Sequence, residues 1–246
     1  MGELNQWIEH AKKTVDFWPV AYYPFYMKRT ETGAGLEDLY DREQIEQDWE
    51  QLREAVKQQN EAGYPMFMGY EWQGSGEDGD HNVFFLDNEQ PMLHPMRYEE
   101  LYQAYKDRSA IAIPHHVAYQ LGSRGKNWET HREAFSPFAE IYSSHGCSEN
   151  DTGPFDMERH LHMGPRTGET CYERGIEKGY LVGMIASGDN HNVPAVHDHG
   201  TMCVLAADGS KEAIWEGLLN RRVYGVSRSR MDIDFTINGS PMGSVV

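Results

Sequence analysis

The stretch YPMFMGYEWQGSGEDGDHNVFFL, residues 64–86, consists of two apolar runs joined by an acidic, glycine-rich segment. We interpret residues 64–72 and 81–86 as strands, because short apolar runs bounded by glycine-rich segments are typical of strands in the core of a sheet. Near its end the first run carries Glu71, a charged side chain that packing in a core does not explain. Other strands of the chain show the same feature.

Strands and helices alternate along the rest of the sequence. The residue pattern predicts helices at residues 4–13, 42–60, 98–106, 169–179 and 210–220, further strands at residues 15–23, 110–116, 138–144, 180–188, 201–207 and 222–227, and a loop at residues 30–41. Apolar strands that alternate with helices are typical of a parallel sheet covered by helices, which indicates an α/β fold. No linker or repeat divides the chain, so we expect residues 1–246 to form a single domain.

The composition excludes several classes of partner. A formal charge of −17 at pH 7 repels phosphate backbones and anionic membranes, so we expect no binding to nucleic acid or to a membrane surface. The three cysteines, Cys147, Cys171 and Cys203, are widely spaced and odd in number, which favours a reducing compartment over a disulfide framework. The sequence shows neither a signal peptide nor an apolar run of about 18 residues, so the expected location is the cytoplasm.

Residue types that bind metals lie where four of the predicted strands end. They are Glu71 after the strand at 64–70, His115 and His116 after 110–113, His145 after 138–144, and Asp189 and His191 after 181–187. Because active-site residues of parallel barrels gather at the carboxyl ends of the strands, we expect these side chains to converge. Asp189 and His191 are two residues apart, so they point the same way on an extended segment. The sequence therefore predicts a site for Zn, Mn or Fe, ions that carboxylates and imidazoles bind.

The segment GEDGDHNV leaves two interpretations open for His81. His81 begins a strand, which places it at the far end of the sheet, unless the chain turns in a tight hairpin whose antiparallel return brings it beside Glu71. We include His81 among the predicted metal ligands on the second interpretation. The acids Glu77, Asp78 and Asp80 lack the spacing of an EF-hand loop and are interpreted as a solvated turn.

Three other polar motifs are less specific. The H-x-H formed by His160 and His162 is interpreted as a surface loop, and HDH at residues 197–199 either lines the metal site or forms an exposed loop. The basic segment 221–230 either edges a strand in solvent or offers Arg222 and Arg228 to an anionic group of a substrate. The chain has no phosphate-loop, dinucleotide or serine-hydrolase motif, so those classes of enzyme are not indicated.

The motifs GYEW, HNVFF, AIPHH, EIYSSHGCSE, ASGDNHN and EGLLNRRVYGVS, the last followed by FTINGSPMG, cover nearly the whole chain. Their order and spacing resemble those of the uncharacterised PHP-like family, relatives of the polymerase and histidinol phosphatase domain. The resemblance implies a distorted (β/α)7 barrel whose site holds two or three Zn, Mn or Fe ions and usually hydrolyses phosphoesters. By position it also implies that Glu71 is the bridging carboxylate, that His116 and His145 are ligands, and that Asp189 with His191 forms the closing pair.

The resemblance implies further roles and also shows two departures. His115 or Glu149 would transfer protons in such a site. The family's first strand ends in H-x-H, and no such strand precedes residue 7, so the expected barrel is incomplete at its N-terminus and the chain is interpreted as a fragment. The family's second metal motif is replaced by Tyr22 and Tyr23, and we expect one of them, Tyr23 first of all, to contact the substrate or an oxyanion.

These features together predict a metal-dependent hydrolase, first of all a phosphoesterase, that uses one to three divalent ions to activate water. Two alternatives remain open: a non-catalytic metal- or carbohydrate-binding module on a degenerate PHP barrel, and an amidohydrolase-like enzyme that hydrolyses C–N bonds. The expected partner is a small-molecule substrate. The 14 tyrosines and 6 tryptophans also leave room for a homo-oligomer interface.

Overall fold

The computed structural model of the protein describes residues 3–30, 33–153, 157, 163, 165–189, 191 and 199–246. Its α-helices are α1 (Leu4–Thr14), α2 (Arg42–Glu61), α3 (Tyr98–Tyr105), α4 (Tyr172–Glu177) and α5 (Lys211–Leu219). Its strands are β1 (Trp18–Tyr22), β2 (Phe25–Thr30), β3 (Gly33–Asp38), β4 (Met66–Trp72), β5 (His81–Phe85), β6 (Ala110–Pro114), β7 (Phe138–Ser143), β8 (Gly146–Cys147), β9 (Gly183–Ala186), β10 (Gly200–Val204), β11 (Val223–Ser227), β12 (Thr236–Ile237) and β13 (Ser240–Pro241). Each helix and strand predicted from the sequence has a counterpart among them.

Two sheets position the predicted site. The first has the order β1-β4-β5-β6, in which β1 runs parallel to β4 and β5 runs antiparallel to both β4 and β6. The second has the order β8-β7-β9, in which β7 and β9 are parallel. An antiparallel pair, β10 and β11, contacts β9. Pro19 lies in β1 at the edge of the first sheet, where a proline is tolerated.

The predicted (β/α)7 barrel is wrong. The described residues form small sheets and five α-helices, and these sheets do not close into a barrel. A parallel barrel needs a long crossover, usually a helix, between successive strands. Here β4 returns to β5 through residues 73–80 alone, and β5 runs antiparallel to both of its neighbours, β4 and β6. The fold is a mixed α/β arrangement in which an antiparallel strand interrupts the parallel ones.

Two smaller predictions are also wrong. Most of residues 30–41, predicted as a loop, belong to the antiparallel hairpin of β2 and β3. The predicted solvated turn is a largely buried loop: Glu77 is exposed as predicted, but Asp78 and Asp80 are each 1% exposed. Gly79 makes this close packing possible: its φ of 83° is in the left-handed region, and a Cβ atom there would lie 2.8 Å from Lys126 Cα.

The helix α2 covers one face of the first sheet. Its buried residues Ile45, Trp49, Leu52 and Val56 recur at the spacing of one helix face, and most of the remaining residues are polar and reach solvent. This arrangement confirms the amphipathic pattern of the sequence. In the ranges that the structure describes, no helix is both long and apolar enough to cross a membrane.

The strand β4 divides its side chains between two apolar layers. Met68 and Tyr70 pack in the layer that contains α2, whereas Phe67 packs in the layer that contains Phe138 of β7. Because successive residues of a strand point to opposite faces, Glu71 shares the face of Phe67. The end of β4 thereby places Glu71 at the junction of the two sheets.

Candidate metal centre

Four overlapping groups of carboxylates and imidazoles lie at the junction of the two sheets. They are Glu71, Asp80, His115 and His116; His116, His145 and Asp189; Glu71, Asp189 and His191; and His115, Glu140 and Asp189. In each group one ligand atom per residue lies within 4.8 Å of all the others. We call these eight residues the carboxylate–histidine cluster. It contains every metal ligand predicted from the sequence except His81.

Asp189 is the centre of the cluster, because it belongs to three of the four groups. Its Oδ2 lies 3.1 Å from His115 Nδ1 and 3.1 Å from His145 Nε2, and its Oδ1 lies 3.7 Å from His191 Nε2. Asp189 and His191 therefore lie together in the cluster, as their spacing predicts. They do so on a backbone with φ of 45° and 51°, not on the extended segment that the spacing argument assumed.

Glu71 and Asp80 form the other side of the cluster. Glu71 Oε1 lies 3.8 Å from His115 Nε2, and Asp80 Oδ2 lies 3.6 Å from His116 Nε2. Arg124 Nη1 donates a hydrogen bond of 2.8 Å to Asp80 Oδ2, and the Arg124 residue is only 4% exposed. The chain thus buries a permanent cation beside the two carboxylates.

The register of the β4–β5 hairpin decides which residue of the acidic loop reaches the cluster. Trp72 pairs with His81, and Glu71 pairs with Asn82. Cross-strand partners share a face of the sheet, and neighbours along a strand point to opposite faces. His81 therefore lies on the side of Trp72, whereas Asp80, one residue earlier, joins the group of Glu71.

His81 has partners of its own outside the cluster. Its Nδ1 lies 2.9 Å from the Gly79 carbonyl oxygen and its Nε2 lies 3.2 Å from Lys126 Nζ. Its ring stacks on Tyr98 with a centroid distance of 4.5 Å. A metal-ligand role for His81 stays a prediction, and the geometry favours Asp80 in its place.

Asp80 and Glu140 are the two members of the cluster that sequence reasoning missed. Glu140 lies in the buried strand β7, where its Oε1 accepts a hydrogen bond of 3.1 Å from the His116 backbone N–H and its Oε2 accepts one from the Ser187 hydroxyl. An acid inside the apolar run FAEIYS was the available signal, because packing alone does not favour a carboxylate there. For Asp80 the signal was absent, because it depends on the hairpin register.

The backbone is strained where the cluster forms. Seven described residues other than glycine have positive φ, and four of them, His116, Arg124, Asp189 and His191, lie in the cluster or against it. This conformation costs free energy for a residue with a Cβ atom and concentrates at functional sites. The loops after β6 and β9 thus hold their side chains in positions that ordinary strand ends would not give.

Neighbouring side chains orient members of the cluster. The Tyr119 hydroxyl lies 2.9 Å from His145 Nδ1, so that His145 Nε2 faces Asp189. Such a partner fixes the orientation and tautomer of a ligand imidazole. Gln73 Nε2 donates to Glu71 Oε1 at 2.8 Å and lies 2.6 Å from the Tyr23 hydroxyl oxygen.

Burial and mutual charge set the protonation of the cluster. Burial opposes ionisation of Asp189, but His115 and His145 outweigh it and hold the pKa of Asp189 well below its ordinary value. Burial likewise opposes a charge on His115, yet Asp189, helped by Glu71 and Glu140, raises the pKa of His115 to about 10. Burial and the charge of Asp189 raise the pKa of Glu140. Protons thus neutralise part of the negative charge that a bound cation would neutralise.

The residues present fit a divalent metal ion. Asp80 Oδ1, His115 Nε2, His116 Nδ1 and Arg124 Nη2 are buried without a hydrogen-bond partner in the described part of the chain. Buried polar atoms are nearly always paired, so orphaned ones need an explanation. Three of these four atoms are of the types that bind borderline divalent ions. The cluster also holds four carboxylates beside one buried arginine, an imbalance that a bound cation would relieve.

Three other predicted residues are not members of the four groups. Glu149 has an exposed side chain. Arg222 forms an exposed ion pair of 3.2 Å with Glu216, and the Arg228 backbone N–H donates to the His199 carbonyl oxygen at 3.3 Å. The catalytic role of Glu149 and the substrate-binding roles of the two arginines stay predictions. His160, His162 and residues 197–198 lie outside the described residues.

Comparison with curated proteins identifies relatives of part of the chain. No protein-family model matches the sequence. An uncharacterised protein of Chlamydia trachomatis is 24% identical over 155 residues, and one of Chlamydia pneumoniae is 27% identical over 157 residues. Each match covers 59% of this chain but only 25% and 24% of the respective relative. The chain therefore spans about a quarter of the length of these relatives.

Comparison with solved structures shows a similar fold. A crystal structure from Bacteroides vulgatus, described as a two-domain protein containing a predicted PHP-like metal-dependent phosphoesterase, matches with a TM-score of 0.56 and 17% sequence identity. The match covers 91% of this chain and 59% of that chain. This chain thus shares its general fold with that solved structure, and it carries a cluster of residues whose types could bind a metal ion.

Proposed function

We propose that this protein is a metal-dependent hydrolase of phosphoesters. The observation that carries the proposal is the cluster of four carboxylates and four imidazoles, largely buried except for the exposed His191, in which ligand atoms lack hydrogen-bond partners among the described residues. The similarity in fold to a PHP-like protein and the resemblance of the sequence motifs support the same class of reaction.

Asp189, His115, His145 and His116 would hold the first ion, because they share groups around the Asp189 carboxylate. A divalent ion in such a site polarises a phosphoryl oxygen and makes water more acidic. Tyr119 would keep His145 oriented toward the ion through its hydrogen bond to Nδ1. Zn, Mn and Fe all suit this donor set.

Tyr23 would meet an anionic substrate at the cluster. Its ring lies 5.0 Å from that of His191, and its hydroxyl oxygen accepts the hydrogen bond from Gln73, which leaves its own proton to donate. Burial, together with the charge of Glu71, raises the pKa of Tyr23 to about 12, so the hydroxyl stays protonated. A local donor of this kind would offset the repulsion between a phosphoester and a chain of charge −17.

The test compares metal content and hydrolysis in two variants. Wild-type protein supplemented with Zn or Mn should retain metal by elemental mass spectrometry and should hydrolyse phosphomonoesters or phosphodiesters. The variant Asp189→Asn should lose both properties. The variant Asp107→Asn, at an exposed acid, should keep both.

Other results would decide between the alternatives. Wild-type protein that retains no metal would contradict the proposal. Bound metal with hydrolysis of amides but not phosphoesters would favour a C–N hydrolase, and bound metal without any hydrolysis would favour a metal-binding module.

A further inference from the structure

On the Asp189 side of the cluster, the atoms that face the Asp189 carboxylate are imidazole nitrogens, which can bind a metal ion. Its Oδ2 is faced by His115 Nδ1 and His145 Nε2, each at 3.1 Å. An imidazole nitrogen becomes a metal ligand as soon as it is deprotonated. A divalent ion on this side would meet two imidazole nitrogens and a carboxylate, and it would break no ion pair with a permanently charged group.

On the Glu71–Asp80 side, the groups that face the carboxylates are hydrogen-bond donors that cannot bind a metal ion. Asp80 Oδ2 accepts from Arg124 Nη1 at 2.8 Å, and Glu71 Oε1 accepts from the Gln73 side-chain amide at 2.8 Å. A guanidinium stays protonated in proteins, and an amide NH2 group has no lone pair to offer. Each contact occupies one oxygen of a carboxylate, and the positive charge of Arg124 opposes a second cation at the unpaired Asp80 Oδ1.

Arg124 is built into this side of the cluster. The loop that carries it is fixed by the Arg124 backbone N–H, which donates to the Gly76 carbonyl oxygen at 3.3 Å, and by a φ of 74° at Arg124. Gly125 packs so closely that a Cβ atom there would lie 1.8 Å from the Tyr119 carbonyl oxygen. The guanidinium carbon lies 5.1 Å from the centre of the Tyr26 ring, a cation–π contact.

We infer that Arg124 is the resident cation of the Glu71–Asp80 side and takes the place of one metal ion there. The inference rests on the proposed metal binding of the cluster. Two buried carboxylates need a positive charge, and the Arg124 guanidinium supplies it in a fixed direction. Divalent ions are then confined to the Asp189 side of the cluster.

The orphaned atom of Arg124 gives this cation a second use. Its Nη2 is buried and has no hydrogen-bond partner in the described part of the chain, although Nη1 is paired with Asp80. An unpaired N–H donor of this kind can still donate a hydrogen bond to an anionic oxygen of a bound substrate. The guanidinium therefore supplies charge and direction where a metal ion would supply coordination.

The test measures how many ions each variant binds. Removing the guanidinium in Arg124→Gln should free the carboxylates, so the metal-to-protein ratio in excess Mn should rise by one ion per chain. Arg124→Lys keeps a cation at Asp80 and should bind as many ions as wild type. Arg132→Gln removes an exposed arginine paired with Glu99 and controls for net charge.

A stability measurement covers the case in which Arg124→Gln folds poorly. Without its arginine, Asp80 is a buried carboxylate that lacks its ion-pair partner, so the metal-free variant should melt well below wild type. Added Mn should raise its melting temperature more than it raises that of wild type, because one more ion binds the folded state. A failure of Mn to produce this larger rise would overturn the inference.

The possible ratios separate this inference from the proposed function. An unchanged or lower ratio in Arg124→Gln would overturn the inference, and a lower ratio would mark Arg124 as a residue that orients Asp80. Wild type that binds no ion while Arg124→Gln binds one would contradict the proposed hydrolase and support the role of Arg124. Absence of metal from both proteins would overturn both.

Discussion

Asp80 and His81 are neighbours in the sequence but enter two buried polar regions of opposite character. Asp80 joins the carboxylate–histidine cluster, where Asp80 Oδ1, His115 Nε2 and His116 Nδ1 lack partners among the described residues. His81 joins a second region, which we call the saturated network: Asp78, His81, Arg97, Tyr98, Lys126 and Thr130. Both regions bury charge, and only the first leaves ligand atoms unsatisfied.

The saturated network shows how this chain buries a carboxylate for stability. Asp78 accepts hydrogen bonds from Arg97 at 2.8 and 3.2 Å, from the Tyr98 backbone N–H at 3.0 Å and from the Thr130 hydroxyl at 3.0 Å. Burial opposes its ionisation, but Arg97 and the other donors outweigh this and lower the pKa of Asp78. Asp78 thereby anchors the start of α3 to the loop between β4 and β5.

The difference teaches how to separate a structural from a functional cluster in this protein. A network whose buried atoms are all paired stabilises the fold, whereas unpaired atoms among several carboxylates and imidazoles cost free energy until a metal ion binds. The unpaired ring nitrogens of His131 belong to no such group among the described residues. Changes in the cluster should therefore alter metal binding, and changes in the network should alter stability.

The largest expected effect is the loss of metal from His116→Ala. His116 belongs to two of the four groups, so its removal should lower the affinity for Zn or Mn more than about 100-fold, since the loss of an outer partner alone costs about 10–100-fold. Calorimetric titration measures this. The matched control His131→Phe changes a buried imidazole packed between Trp128 and Tyr180 and should bind metal like wild type. Equal losses in both variants would break the comparison.

The next effect is on stability. Asp78→Ala removes the acceptor of four hydrogen bonds and should lower the free energy of unfolding by about 2–4 kcal/mol. Glu140→Gln in the cluster should change it by less than about 1 kcal/mol, because the raised pKa of Glu140 shows that the metal-free site disfavours its charge. Urea unfolding of metal-free protein decides the point, and a larger loss in Glu140→Gln would reverse the assignment of the two regions.

A smaller effect on metal binding is expected from Tyr119→Phe. The variant keeps the ring but loses the hydroxyl that lies 2.9 Å from His145 Nδ1, so the affinity for metal should fall about tenfold. Tyr98→Phe is the matched control, because Tyr98 belongs to the saturated network and its buried hydroxyl is hydrogen-bonded to the Ser136 hydroxyl. It should lower stability to a similar degree and leave the affinity unchanged.

The last effect concerns the pH dependence of stability. Burial lowers the pKa of Lys126 to about 7 in the folded protein, below its value of about 10.4 in an unfolded chain. Between these values the unfolded state binds more protons, so the stability of wild type should rise with pH relative to Lys126→Met, by at least about 1 kcal/mol. Urea unfolding at about pH 7 and about pH 10 measures the rise. Parallel pH profiles for the two proteins would show that Lys126 does not titrate in this range.

Residue types and their positions in the sequence predicted much of the carboxylate–histidine cluster. Glu71, His115, His116, His145 and Asp189 stood out because charged or imidazole side chains at the ends of apolar runs are not explained by packing. The structure brings all five together. Glu140 was overlooked although its place inside an apolar strand carried the same signal.

The pattern of apolar residues does not tell whether a strand runs parallel or antiparallel to its neighbours. An apolar run looks the same in a parallel and an antiparallel strand, so the reversal of β5 entered only as one interpretation of His81, and the barrel that it excludes was still predicted. The same limit explains the exchange of Asp80 for His81, because a shift of one residue in register moves a side chain to the opposite face.

The sequence by itself determined the order of helices and strands and most of the residue types of the cluster, because periodicity and burial are local properties of the chain. Only the tertiary structure decided which side chains meet. Arg124 contacts Asp80, 44 residues away in the sequence, and Asp189 contacts His115, 74 residues away. The loops that carry Arg124 and Asp189 have positive φ values that no local sequence pattern predicts. Such contacts depend on how distant segments pack, and this packing depends on all the contacts of the fold together.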